Sequence, residues 1–197
     1  MKLSKKEDYL SQKDPKLKKI IDANGHIVFK PNTENQFDSL VSIVISQFIS
    51  TKASHSIYQK IKKHFNEDNL KEIHFQNLTI KDIKKLGLST NKAKTIKNLS
   101  QLYLDHNMGD LTKLKNENLN DKLLSVFGIG PWSVNMFEIF CIGKLDIFSS
   151  KDAGLRLAMN NFRMVKPDSE LIQYDKYATK WLPYRSIASL HLWRTVD

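Results

Sequence analysis

Cysteine is nearly missing: Cys141 is the only one in 197 residues. An intramolecular disulfide is therefore excluded, as is any zinc or iron–sulfur site that several cysteines would hold. Cys141 falls on an apolar helical face and reads as a small buried hydrophobe. No stretch of about 18 apolar residues occurs, so no membrane-spanning helix is expected. The opening MKLSKKEDYL carries no apolar core of a secretory signal, which points to a soluble, intracellular protein with no membrane partner. Internal repeats and low-complexity tracts are also lacking. The six histidines show no metal-ligand spacing. His55 among them reads as a packing or phosphate-side residue, and no metal held by side chains is expected.

What is present is positive charge. Lysine and arginine number 31 against 21 acidic residues, a formal net charge of +10 with a sequence pI near 9.5. A basic chain of this kind suits a polyanion, with nucleic acid the first candidate. Twenty-seven of the 31 basic residues are lysine, and asparagine and isoleucine are abundant as well. An AT-rich coding sequence explains part of that excess, so charge alone leaves both readings open.

Apolar residues recur at helical spacing, and no strand is convincing, so the class is all-α with about ten helices. Residues 1 to 13 read as a loose start or a short helix. Asp14-Pro15 opens a helix that Asn24-Gly25 closes. HIVFKPN is short and extended. Phe37 to Ile49 is a strongly apolar helix, and Thr51 is a candidate cap for the next, Lys52 to Phe65. Asn66 to Asn69 is a solvated loop. A capped helix from Thr79 to Leu86 stops at Gly87. A longer one from Asn91 to about Leu104 turns Ala93, Ile96, Leu99 and Leu102 or Tyr103 inward, and Asn107-Met108-Gly109 breaks it. Near the C-terminus, helices run to about Phe162, from about Asp168 to Trp181, and from Pro183 to Arg194.

One stretch organises the rest: LLSVFGIGPWSVNMF, residues 123 to 137. Leu123, Leu124, Val126 and Phe127 end one amphipathic helix. Gly128 supplies the positive φ that closes a helix, Ile129 plugs the turn into the core, and Gly130 lets another backbone come close. Pro131 suits the first turn of the next helix, Trp132 to about Gly143. A helix start presents N–H groups to phosphate. Asp152 follows in DIFSSKDAGLRLAM, with Ser149 and Ser150, where another helix begins. Free N–H groups and the helix dipole favour a carboxylate there as an anion. On position alone Asp152 is a helix cap, and the preceding hairpin is an αα-corner.

The pairing of hairpin and aspartate resembles the helix-hairpin-helix DNA glycosylase superfamily, in which a catalytic aspartate follows the hairpin by about twenty residues. GIGPWSVNMF and IFSSKDAGLRLAM are most similar to the 3-methyladenine DNA glycosylases of its alkylation-repair branch. LVSIVISQFISTKASHSI (40 to 57) and WLPYRSIASLHLW (181 to 193) agree with two further motifs of that branch. The likeness covers roughly residues 14 to 194. It implies two helical lobes with an interlobe DNA-binding cleft: lobe A about 1–33 plus 153–197, and lobe B about 34–152 with the hairpin.

The resemblance also implies roles. Asp152 would be the catalytic anion: cleaving a base–sugar bond builds positive charge on the deoxyribose, which a fixed carboxylate stabilises. The same group could orient or deprotonate the attacking water. Asp146 reads as structural. Relatives that also cut the DNA backbone carry a nucleophilic lysine where this chain has Trp132, so a monofunctional hydrolase without lyase activity is implied. Trp132, Trp193 and Met136 would line the base pocket, where aromatic faces attract cationic alkylated purines. Met136 stands where some relatives have tyrosine, and the four-cysteine cluster of others is missing. Gln47, Phe48, Gly128, Ile129, Gly130 and Lys151 would contact DNA. Phe48, where many relatives have a second glutamine, is either a wedge filling the gap left by a flipped nucleotide or a core residue. Lys151, Arg185 and Ser186 either contact phosphates or hold the lobes together.

The expected activity is excision of alkylated purines of the 3-methyladenine and 7-methylguanine class from double-stranded DNA, by a monomer in the cytoplasm, associated with the nucleoid. No cofactor is implied, apart from a monovalent cation that hairpin backbone carbonyls could hold. The rivals are a glycosylase for another damaged or mismatched base and a non-enzymatic DNA-binding protein using the hairpin alone.

Overall fold

Local sequence sets most of the helix starts in the computed structural model, which describes residues 3–105 and 116–196. In chain order the α-helices among these residues are α1 (Lys5–Lys13), α2 (Pro15–Asn24), α3 (Gln36–Ser46), α4 (Thr51–Phe65), α5 (Ile73–Gln76), α6 (Ile80–Lys85), α7 (Thr90–Asp105), α8 (Asn116–Ser125), α9 (Pro131–Phe137), α10 (Ala153–Asn161), α11 (Leu171–Ala178) and α12 (Arg185–Trp193). No strand occurs among them, and the fold is all-α. The expected break at Asn107-Met108-Gly109 lies outside the described residues.

Caps explain several starts. Ser4 and Glu7 form a capping box that makes α1 a defined helix rather than a loose start. The Asp14 carboxylate accepts the Lys16 and Leu17 N–H groups at the head of α2, with Pro15 in its first turn. Thr79 and Asp82 box the start of α6. Two expectations need correction. Ser50, not Thr51, caps α4, because its hydroxyl is the one within reach of the Ala53 N–H. The apolar helix α3 ends at Ser46, three residues early, because Phe48 takes a left-handed backbone with φ 59. The helix after the hairpin does run to Ile142, but from Glu138 onward it widens into π geometry.

The chain divides into two compact units, residues 1–31 with 143–197, and residues 32–142. Segment 143–152 thus belongs with the termini rather than with the hairpin. In the hairpin unit α3 is central: it packs against α4, α7 and α9 and is apolar on most of its surface, with Phe37, Leu40, Val41, Ile43, Val44 and Ile45 all buried. Tyr103, not Leu102, is the inward residue of α7, with its ring edge-on to Phe37 at 5.1 Å. Cys141 is buried and its thiol donates to the Asn32 carbonyl at 3.1 Å.

In the terminal unit Leu10, Leu17, Ile20, Ile21, Leu155, Met159, Trp181 and Leu192 share one core. The Trp181 indole donates to Asp14 at 3.0 Å, tying the cap of α2 to the last third of the chain. Beside it lies a buried polar cluster. Glu7 accepts the N–H groups of Ser4 and Ile27 at 2.7 and 2.9 Å and lies 2.8 Å from His26 Nδ1. His191 Nε2 is 3.2 Å from the same carboxylate, and the Asn24 amide points at its Nδ1 from 3.3 Å. A ring that donates from Nε2 and accepts at Nδ1 is neutral. Burial, the largest effect, pushes His191 below its ordinary 6.5 against the upward pull of Glu7. Burial alone would raise Glu7, but the Ile27 and Ser4 N–H groups and His26 outweigh it and hold the carboxyl at about 2, down from 4.5.

Both shifts favour the folded state at neutral pH. On acidification the unfolded chain binds protons first, at His191 below about 6.5 and at Glu7 below about 4.5, so stability falls through that window, and the Glu7 part is gone near pH 2. Urea midpoints from pH 7 to 3 should show this decline. Glu7→Gln should lower stability at pH 7 by about 2 kcal/mol and flatten the curve below pH 4.5.

Candidate active site

The residues of interest fall into two groups, one in each unit. In the hairpin unit, α8 stops at Ser125, so Val126 and Phe127 lie beyond the helix. Leu123 and Val126 are buried, whereas Leu124 and Phe127 are exposed. Gly128 has φ 84, and a Cβ there would lie 2.0 Å from the Thr95 hydroxyl oxygen. Both facts require glycine, since the turn is left-handed and is packed onto α7. Ile129 is buried, as a plug would be. Gly130 is different. Its φ is −115, and nothing lies within 4 Å of where its Cβ would be. No backbone of the described residues crowds it, and the space beside it is open. It caps α9 without a side chain, and Pro131 occupies the first turn.

Gln47 reaches the hairpin from the turn after α3. Its amide nitrogen donates to the Gly128 carbonyl at 3.0 Å and to the Ser133 hydroxyl at 2.9 Å. This side chain therefore braces the hairpin, and it takes up one of the hairpin carbonyls. The next residue, Phe48, is fully exposed. The core alternative for Phe48 is thereby overturned. A phenylalanine held in solvent on a left-handed backbone costs about 1 kcal/mol of strain and buries none of its ring. The end of α3 before it is anchored, since Lys92 Nζ donates to the Ile45 carbonyl at 2.7 Å. Beside the hairpin, the Lys94 ammonium sits 4.3 Å from the centre of the Phe127 ring. Trp132 is half-buried and Met136 buried on α9. His55 is exposed on α4.

The terminal unit holds Asp152, which caps α10. Its Oδ1 accepts the Leu155 N–H at 2.8 Å and the Trp193 indole N–H at 2.9 Å. Asp152 and Trp193, 41 residues apart in sequence, are thus brought together on one oxygen. The carboxylate is buried to 9% exposure, and charge interactions are stronger there than in open water. The turn that carries it is braced on both sides. The Asp152 N–H donates to the Ser149 carbonyl at 3.0 Å. Arg156 donates to the Ser150 carbonyl at 2.7 Å, and the Ser150 hydroxyl to Asp175 at 2.9 Å. Arg156 and Asp175 did not emerge from the sequence. Arg156 lies one helical turn after Asp152, a signal that spacing offers, but Asp175 is on α11 and only folding reveals it. Lys151 is exposed just before the cap.

Arg185 and Ser186 make their bonds to the segment before Asp152, in the same unit. Arg185 Nε and Nη2 pair with the Asp146 carboxylate at 2.7 and 3.2 Å, and Nη2 also donates to the Asp146 carbonyl. Ser186 donates to the Lys144 carbonyl at 2.7 Å and accepts the Ile147 N–H at 3.0 Å. The start of α12 is in this way clamped to the segment leading to Asp152, and Asp146 is structural. Among the described residues no cluster of histidine, cysteine, aspartate or glutamate is arranged to hold a metal. No helix among them is long and apolar enough to cross a membrane.

Comparison with known proteins places this geometry. The family model described as HhH-GPD superfamily base excision DNA repair protein matches residues 41–183. The chain is 24% identical to DNA-3-methyladenine glycosylase 1 of Schizosaccharomyces pombe, over 98% of this chain and 87% of that one. It is 27% identical to the DNA-3-methyladenine glycosylase of Saccharomyces cerevisiae, over 95% and 77%. Its fold is similar to that of the S. pombe 3-methyladenine DNA glycosylase solved in complex with abasic DNA, with a TM-score of 0.86, 22% identity, and 98% and 96% of the two chains covered.

The two hairpin glycines should respond differently to substitution. Gly128→Ala should lower stability by about 2 kcal/mol or more, since it meets both a positive φ and the Thr95 hydroxyl. Gly130→Ala should melt within a degree or two of wild type, roughly within 0.5 kcal/mol. Thermal melts of the two variants check this. Any loss of DNA affinity in Gly130→Ala would then report a lost contact and not a lost fold.

Proposed function

The chain belongs to the HhH-GPD superfamily of base excision DNA repair proteins, and from that premise we propose that it is a DNA glycosylase that hydrolyses the N-glycosidic bond of alkylated purines. The observation that carries the chemistry is Asp152, buried at a helix start with two N–H groups on its Oδ1. Relatives named for 3-methyladenine support the substrate class.

The reaction follows from charge. A purine alkylated at N3 or N7 is cationic, so it departs with the electrons of the C1′–N bond as a neutral base. Positive charge then grows on the deoxyribose, and a preorganised carboxylate stabilises it at little reorganisation cost. Water adds to C1′, and its proton leaves to Asp152 or to solvent. The products are free base and an abasic strand. A leaving group already cationic needs no strong general acid. Trp132 stands where a lysine would be required for attack on the sugar, and its indole cannot form a Schiff base. The enzyme is on this reading monofunctional, requires no cofactor, and acts as a monomer on double-stranded DNA.

DNA would be gripped through phosphates by the hairpin, with the open face of Gly130 and the start of α9 nearest the backbone. Phe48, exposed on its strained turn, has the form of a wedge that fills the stack when the damaged nucleotide is flipped out.

Asp152→Asn keeps the cap and should keep DNA affinity, but single-turnover release of methylated purine should fall on the order of a hundredfold or more. Excision by this variant near the wild-type rate would remove Asp152 from the mechanism. Phe48→Ala should leave the fold intact, since the ring buries nothing, and should weaken binding to abasic-site DNA by about tenfold while sparing undamaged duplex. Equal affinities for abasic DNA by gel shift would end the wedge assignment.

A further inference from the structure

Asp152 does not need Trp193 in order to cap α10. The Leu155 N–H at 2.8 Å already makes the cap. The indole adds a second donor to the same oxygen, at 2.9 Å and from another helix. Two donors converging on Oδ1 from different directions fix the plane of the group and therefore the place of Oδ2. We infer that Trp193 is a positioning residue: its indole N–H sets the orientation in which the Asp152 carboxylate faces the sugar.

Three further features suit that role. An indole N–H only donates and cannot titrate, so it holds an anion without competing for its proton. Gly154 lies beside the bond and leaves it room: a Cβ there would sit a tight 3.2 Å from Asp152 Oδ1 and in contact, at 3.4 Å, with Trp193 Cδ1. The ring also arrives on a rigid support. Trp193 is the last residue of α12, whose Ile187, Ala188 and Leu192 are buried, and whose first turn is clamped by Asp146 and by the Lys144 and Ile147 backbone. A site held within a fraction of an ångström is what such support achieves. An aromatic wall of a base pocket would need the ring face but not the N–H.

The inference rests on the proposed role of Asp152, and the test separates the two. Trp193→Phe keeps an aromatic ring and removes the donor. Single-turnover excision of 7-methylguanine should fall about ten- to a hundredfold, with affinity for abasic-site DNA unchanged within about twofold. Placed on Asp152→Asn, the same substitution should cost nothing more, because residues acting as a unit are not additive. Wild-type excision by Trp193→Phe, or an undiminished loss in the Asp152→Asn background, would overturn the positioning role in favour of a pocket wall. A second readout needs no activity. The chain has three tryptophans, so the indole N–H resonance missing from Trp193→Phe identifies Trp193. Asp152→Ala should shift that resonance and speed its exchange with solvent, while that of Trp181, bonded to Asp14, stays in place. An unmoved Trp193 signal would overturn the bond itself. If the wild-type protein released no alkylated base, the functional reading would fail and the positioning role with it, whether or not the signal moved.

Discussion

The constraint on which the terminal unit depends is the burial of one carboxylate at a helix start. An anion with 9% exposure is tolerable only where donors replace the water it has lost. Donors to Asp152 come from the first turn of α10 and from the end of α12. Each of those helices must then be held in place. Arg156 and Asp175 hold the turn before α10, and Arg185 with Ser186 ties α12 to segment 144–147. At the far end of the same helix, His191 is locked neutral between Glu7 and Asn24, which links α12 to the first 24 residues of the chain. Bonds at both ends of α12 thus fix its placement in this unit.

The hairpin unit solves a different problem. A tight turn between α8 and α9 must present backbone to solvent without fraying. Gly128 closes it against Thr95, Ile129 anchors it, and the Gln47 amide spans it from outside. The brace also fixes the residue after Gln47. Phe48 is left exposed on a left-handed backbone, where its ring adds nothing to the core.

Much of this was legible because caps and turns are local. Asp14-Pro15, Thr79 with Asp82, Gly87, Gly128 and Asp152 each carry their meaning within about four residues. What escaped was either degenerate or distant. Ser50 and Thr51 are both good caps, and only the path of the chain chooses between them. The early end of α3 depends on a positive φ that no propensity for phenylalanine suggests. The four-residue α5 is too short to show a period. Glu7 and His191 are 184 residues apart, and Asp152 and Trp193 are 41 apart, so their pairing is a property of packing alone. The resemblance suggested an aromatic pocket role for Trp193, whereas the folded chain adds a donor to a carboxylate.

The central claim is that water, not a protein amine, displaces an alkylated purine. It is tested most directly by incubating methylated duplex DNA with the purified protein and examining base and strand separately. The account predicts free 3-methyladenine and 7-methylguanine by mass spectrometry, with a strand that runs intact on a denaturing gel until heated in alkali. Borohydride present during turnover should trap no protein on the DNA, since it reduces only a Schiff base. Failure to release either base, or a nicked strand with a trapped covalent complex, would contradict it.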